Sequence, residues 1–212
     1  MNVSLKKAIA LTSAILLLNL TACTENQTTV DPPPEVETEA LETPKTEEVT
    51  TASLKGNPWQ YLYDNREELQ VCDGTIETEA SQDFSETYAI APNQALVQVL
   101  CFLAAYQGAY QYYLYTETDN GIEITPLELT SYIAEENGEY TAMNSRDIGG
   151  LPTYNTNDGT LTIFSKGRGL GDCGTWAQYQ LKENTFELVE YRAKGDCDGN
   201  YVEPEAYPQV YP

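Results

Sequence analysis

Six short runs of aliphatic, β-branched and aromatic residues, separated by turn signals, constrain the fold of this chain more than any other feature. They are Ala95-Leu96-Val97-Gln98-Val99-Leu100, Ala109 to Tyr115, Gly121 to Thr125, Thr160 to Phe164, Trp176 to Leu181 and Thr185 to Tyr191. Runs of this length with a mostly two-residue period read as strands, because helices need longer stretches with a 3.6-residue period. Asp119-Asn120-Gly121 and Asn157-Asp158-Gly159 supply residues that tolerate the positive φ of tight hairpin turns. A mainly β, antiparallel fold of hairpins is therefore expected. Trp59 to Leu69 and Leu127 to Asn137 are read as two short helices, which would make the domain α+β.

The first 23 residues form a second self-contained signal. Lys6 and Lys7 give a positive start, Ala8 to Leu20 an apolar stretch too short to span a bilayer, and Leu20-Thr21-Ala22-Cys23 an ending of small residues before a cysteine. This pattern resembles the bacterial lipoprotein signal. The resemblance implies cleavage of residues 1–22 and lipidation of Cys23, and so attachment to the membrane through acyl chains. Thr24, where an aspartate would direct retention, points to the outer membrane in a Gram-negative host. From residue 23 to 55 the chain is Thr, Glu and Pro without an aromatic residue, so it cannot offset its ordering entropy by burial. It is expected to be a disordered acidic tether carrying the domain 56–212 away from the envelope membrane.

Charge and composition exclude whole classes of function. The sequence has 11 Lys+Arg against 33 Asp+Glu and no histidine. Without histidine there is no Ser-His or Cys-His nucleophile pair and no imidazole metal site. A formal charge of -22 repels phosphate backbones, so nucleic acid is not expected as a partner. No cofactor is expected.

Four cysteines remain beyond the signal: Cys72, Cys101, Cys173 and Cys197. In an exported chain an even number points to disulfides. Three pairings are open. Cys72 with Cys101 and Cys173 with Cys197 is the preferred one, each closing a loop of roughly 25 to 30 residues and contributing about 3 kcal/mol. Gly108-Ala109-Tyr110-Gln111-Tyr112-Tyr113-Leu114 followed by Ile122-Glu123-Ile124 parallels Gly174-Thr175-Trp176-Ala177-Gln178-Tyr179-Gln180-Leu181 followed by Phe186-Glu187-Leu188, each after a cysteine. This reads either as an internal duplication or as the common pattern of antiparallel hairpins.

The string Lys166-Gly167-Arg168-Gly169-Leu170-Gly171-Asp172-Cys173-Gly174, then Trp176, contains a G-x-G-x-x-G. The residues after it are strand-like rather than helical, so a dinucleotide site is rejected. The string resembles the C-terminal signature of the bacterial exported family catalogued as domain of unknown function 1176. Leu96 to Cys101, Gly108-Ala109-Tyr110 and Gly150-Leu151-Pro152-Thr153-Tyr154 resemble further elements of that family. The resemblance covers about Trp59 to Gly199 and implies an exported, disulfide-bonded protein with no established activity and no catalytic residue to transfer. The chain departs from the family in its acidic tether and at Gln178 and Tyr179, a stretch that is often Trp-rich.

Lys166, Arg168, Asp172 and Trp176 are the candidate binding residues, with an internal Arg168–Asp172 ion pair as the competing reading. Asp196-Cys197-Asp198-Gly199-Asn200 begins like a calcium loop. The twelfth position, however, is Tyr207 rather than a bidentate acid, leaving Asp196, Asp198 and Glu203 only as an irregular metal set. Tyrosines such as Tyr110, Tyr112, Tyr113 and Tyr115 are read as core packing or as a binding face for glycan or protein. The expected function is a non-catalytic binding module for a protein or envelope polymer. An acidic inhibitor of a cationic, lysozyme-like envelope hydrolase and a carboxylate-based hydrolase are the alternatives.

Overall fold

Asn57 opens the first element by accepting the Gln60 N–H on its side chain at 3.1 Å, with Pro58 at the first helical position. The computed structural model describes residues 54–212. The signal 1–22, Cys23 and nearly all of the tether lie outside the described residues. Helix α1 (Pro58–Asp64) buries Leu62, then stops where the Asn65 side-chain amide donates to the Tyr61 carbonyl at 2.8 Å. The helix expected through Leu69 is therefore shorter, its later residues forming turns before a 3₁₀ segment, Val71–Gly74. Helix α2 (Thr78–Phe84) follows.

The rest is antiparallel strand: β1 (Glu86–Ala91), β2 (Gln94–Leu103), β3 (Gly108–Thr118), β4 (Gly121–Leu127), β5 (Leu129–Ala134), β6 (Tyr140–Ser145), β7 (Ile148–Asn155), β8 (Thr160–Lys166), β9 (Gly174–Lys182), β10 (Thr185–Lys194) and β11 (Gln209–Tyr211). Nine of them make one sheet in the order β1-β2-β3-β7-β8-β9-β10-β11, with β4 paired to β3 off this path, and β5 pairs with β6 alone. β3 divides its outer edge between two partners. Gly108–Tyr110 pairs with β7, and Tyr112–Thr118 pairs with β4.

The segment Leu127 to Asn137 is not helical. It holds the end of β4 and β5, because Leu127 and Leu129 are both buried at a two-residue period and Asn137-Gly138 closes a tight turn into β6, with Gly138 at φ +83°. Tyr132 on β5 packs its ring against Tyr191 and Tyr211, 5.3 and 6.0 Å between centroids.

Two cores lie on opposite faces of β2 and β3. On the inner face Leu96, Leu100, Tyr112 and Leu114 meet Leu161, Ile163, Tyr179 and Phe186 from the far half of the sheet. On the outer face Val97, Val99, Tyr113 and Tyr115 are covered by Leu62, Val71 and their neighbours in the N-terminal segment. Burial on both faces explains why the run 95–100 is almost continuously apolar rather than alternating.

Each disulfide is the one preferred from sequence, Cys72–Cys101 (Cα–Cα 5.3 Å) and Cys173–Cys197 (5.0 Å). The first ties the N-terminal layer to β2, and the second joins the β8–β9 loop to the segment after β10. The paralleled hairpins β3–β4 and β9–β10 are both present, but their crosslinks run oppositely: Cys101 bonds an upstream cysteine and Cys173 a downstream one.

Candidate functional site

The Gly-rich loop between β8 and β9 is a brace. Arg168 grips Asp172 with two parallel bonds, Nε to Oδ1 at 2.7 Å and Nη2 to Oδ2 at 2.5 Å, and the Gly199 N–H donates to Oδ2 at 2.6 Å. The Arg168 side chain is 44% exposed and that of Asp172 only 1%. Lys194 adds a second link, its ammonium donating to the carbonyls of Asp172 and Asp196 and to Asp198 Oδ1 at 2.7, 2.7 and 2.8 Å. The Tyr207 hydroxyl donates to the Gly171 carbonyl at 3.3 Å. With Cys173–Cys197, these bonds fasten the 166–174 loop to the 195–200 loop. Guanidinium and carboxylate therefore satisfy each other, as the internal reading has it. Lys166 donates its backbone N–H to Gln107 Oε1 at 2.8 Å, and its ammonium has no ion-pair partner among the described residues. Trp176 does not join a surface with these residues. It is 7% exposed, in register between Phe164 and Arg192 within the sheet.

Asp196, Asp198 and Glu203 do not converge, and no group of three or more metal-ligating side chains occurs among the described residues. Asp198 is occupied by Lys194 and by the Asn200 backbone and side-chain amides, at 3.0 and 2.8 Å. The Lys194 ammonium, with Asn200, holds the Asp198 carboxyl well below the usual carboxylate range. The tyrosines of β3 serve mainly as core: Tyr112, Tyr113 and Tyr115 are almost fully buried, with the Tyr112 hydroxyl held well above its usual pKa by burial.

A different group of residues forms an open, chemically mixed site. Where α2, β1, β2 and β3 approach β7, a cleft of about 340 Å³ opens at the margin of the inner core. Phe84, Tyr88, Tyr110 and Tyr154 give it aromatic walls, with Phe84 52% exposed at its lip and the Tyr88 and Tyr154 rings 4.9 Å apart. Glu86, Tyr88 and Gln98 reach the same face because the pairs Glu86–Gln98 and Tyr88–Leu96 sit in register. Gln98 is 4% exposed. Its Oε1 accepts the Tyr112 hydroxyl at 3.2 Å, while its amide nitrogen has no protein acceptor among the described residues. Burial first, and then the nearby Glu86 carboxylate, push the Tyr88 hydroxyl above its ordinary pKa, so it remains a neutral hydrogen-bonding group. Asp83 and Glu86 also line the cleft, and no Lys or Arg does.

Of these residues, only Tyr110 is conspicuous in the sequence as a binding candidate. The available signal is Gln98, a lone amide within Leu96-Val97-Gln98-Val99-Leu100 at a core-facing position. Buried polar groups are normally satisfied, so an amide placed there marks a site where the core opens to something else.

An antiparallel sheet with a core on each face of one strand pair, crosslinked by Cys72–Cys101 and Cys173–Cys197, defines a small disulfide-braced β domain. The chain belongs to the family described as "Protein of unknown function (DUF1176)", which matches residues 23–212. It is also similar to the uncharacterized protein YpfG of Escherichia coli (strain K12), 34% identical over 77 residues. That stretch is 36% of this chain and 20% of the relative, so the match spans about a fifth of the relative's length. No solved structure matches the chain.

Proposed function

We propose that the protein is a lipid-anchored, non-catalytic binding module of the bacterial envelope whose ligand is a glycan-type polymer held in the aromatic cleft. The cleft carries this reading. Sugar rings present flat C–H faces to aromatic walls and hydroxyls to side-chain amides and phenols, and the cleft combines aromatic rings with Thr153, Tyr88 and the Gln98 amide nitrogen. A cleft open at its side admits an internal segment of a polymer as well as an end.

The anchor is supported by the lysine-bearing apolar segment that ends at Leu20-Thr21-Ala22-Cys23, and by the family match beginning at Cys23. Cys23→Ser should abolish acyl labelling and partitioning into detergent. A variant that still fractionates with membranes defeats the anchor.

The cleft is tested by retention of the full chain, purified in detergent, on insoluble cell-wall sacculi, chitin and cellulose. Phe84→Ala removes a half-exposed ring at the lip without opening the core, so the protein should keep its thermal stability and lose binding by about tenfold, the value of one aromatic stacking contact. Binding unchanged in Phe84→Ala, or no retention of the unaltered chain on any of the three polymers, overturns the assignment.

A further inference from the structure

Resting on the glycan reading above, we propose that the cleft selects sugar units bearing a free, protonated amine over neutral or N-acetylated ones. Charge placement carries this inference. The charged side chains lining the cleft are Asp83 and Glu86, both exposed, and neither has a hydrogen-bond or ion-pair partner among the described residues. An exposed acid is ordinary in so acidic a chain. Here two unpaired acids stand at one aromatic mouth beside Gln98, whose amide nitrogen has no protein acceptor among the described residues.

The three kinds of group suit three parts of one ligand. An ammonium over the ring faces of Phe84 and Tyr88 is attracted by the ring quadrupole, and it then lies beside carboxylates that the protein leaves uncompensated. The Gln98 amide and the neutral Tyr88 hydroxyl can serve the sugar hydroxyls, which carry no charge. An N-acetyl group would exchange the ammonium for a neutral amide and leave both acids facing the ligand unpaired. Among the described residues, Arg168, Lys182, Arg192 and Lys194 are each paired with an acid elsewhere, and no Lys or Arg lines the cleft. Domain 56–212, with seven bases and 25 acids, adds a long-range attraction for a polycationic chain.

Calorimetric titration of the full chain in detergent with three hexamers tests this: a chitosan hexamer carrying free amines, its fully N-acetylated counterpart and a cellulose hexamer. At low salt the amine-bearing hexamer should bind about tenfold more tightly than the other two, and added salt should reduce that margin. In the double variant Asp83→Asn/Glu86→Gln the margin between the amine-bearing and the neutral hexamers should fall by roughly three- to tenfold. Both positions are exposed, so folding should be unaffected, and an unchanged melting temperature checks this. Equal binding of all three hexamers overturns the charge selection and leaves the glycan reading intact. So does a margin that survives in the double variant. Binding of none of the three overturns both.

Discussion

Gly174→Ala should prevent the domain from reaching its folded state, or lower its melting temperature by more than 10 °C in round terms, at about 3 kcal/mol or more. Gly174 opens β9 at φ +146°, a region that side-chain-bearing residues rarely enter. A Cβ there would overlap the Ser165 carbonyl oxygen and stand 3.0 Å from Gly167 N and 3.1 Å from Lys166 Cα. These are backbone atoms of β8 and of Gly167 just after it, so no rotamer relieves the clash. The same peptide group follows Cys173, whose carbonyl accepts the Gly167 N–H at 2.9 Å. Moving it would disturb the disulfide and the register Lys166–Gly174 together. Two controls separate the contributions. Gly195→Ala, in open space at an ordinary φ, should be neutral within about 0.5 kcal/mol. Gly121→Ala, at φ +131° with nothing nearby, should lose only the conformational part, about 1–2 kcal/mol. Melting curves for the three variants decide the matter. If Gly174→Ala melts with Gly121→Ala, the close approach of β8 to β9 is wrong.

How each residue is buried determines whether the sequence discloses or hides its role. Strands bounded by Asn-Gly and Asp-Gly turns are legible because the turn chemistry is local, and β3–β4 and β7–β8 close at the expected residues. The segment Leu127–Asn137 is misleading because a short stretch with leucines and glutamates satisfies a helical pattern as well as a strand. Its conformation is decided by Leu129 and Tyr132, which pack on residues far away in the chain. β1 is hidden for the same reason: Tyr88 packs on Tyr154 of β7 at the core margin, a pairing that no local rule anticipates. The Gly-rich string is legible as a special loop. Of the two readings open for it, the internal pair is the one seen, because Arg168 finds its acid four residues away. The cleft could not be assembled from sequence at all, since its residues come from five separate elements. Only Gln98 betrays it.

Asp172→Asn should lower the melting temperature at neutral pH by an amount on the order of 10 °C, and the difference from the unaltered protein should shrink steadily as the pH falls below about 4. The carboxylate of Asp172 accepts on both oxygens, two donors from Arg168 and one from Gly199, in a side chain sealed from water. An amide of the same shape offers one acceptor and turns a donor toward these donors, so it leaves groups facing one another unpaired. The Arg168 guanidinium, with the Gly199 N–H, holds the Asp172 carboxyl well below the usual carboxylate range, outweighing the burial that opposes it. A group whose pKa is depressed by folding contributes stability that is fully present above the unfolded value, about 3.9, and is lost as the pH falls through the folded one. Asp198, depressed by Lys194 and Asn200 on the adjoining loop, adds to the same acid sensitivity. At low pH the protonated Asp172 carries the same charge and nearly the same donors as asparagine, so the two proteins must approach a common stability. Arg168→Ala should be at least as damaging at neutral pH, since it strands the buried carboxylate. It should be rescued in part by the second change Asp172→Asn, an opposite-sign coupling that a double-mutant cycle reads directly. Melting temperatures recorded from pH 7 down to pH 2 for the four proteins would reject the brace if the Asp172→Asn deficit were constant with pH, or if the two substitutions simply added.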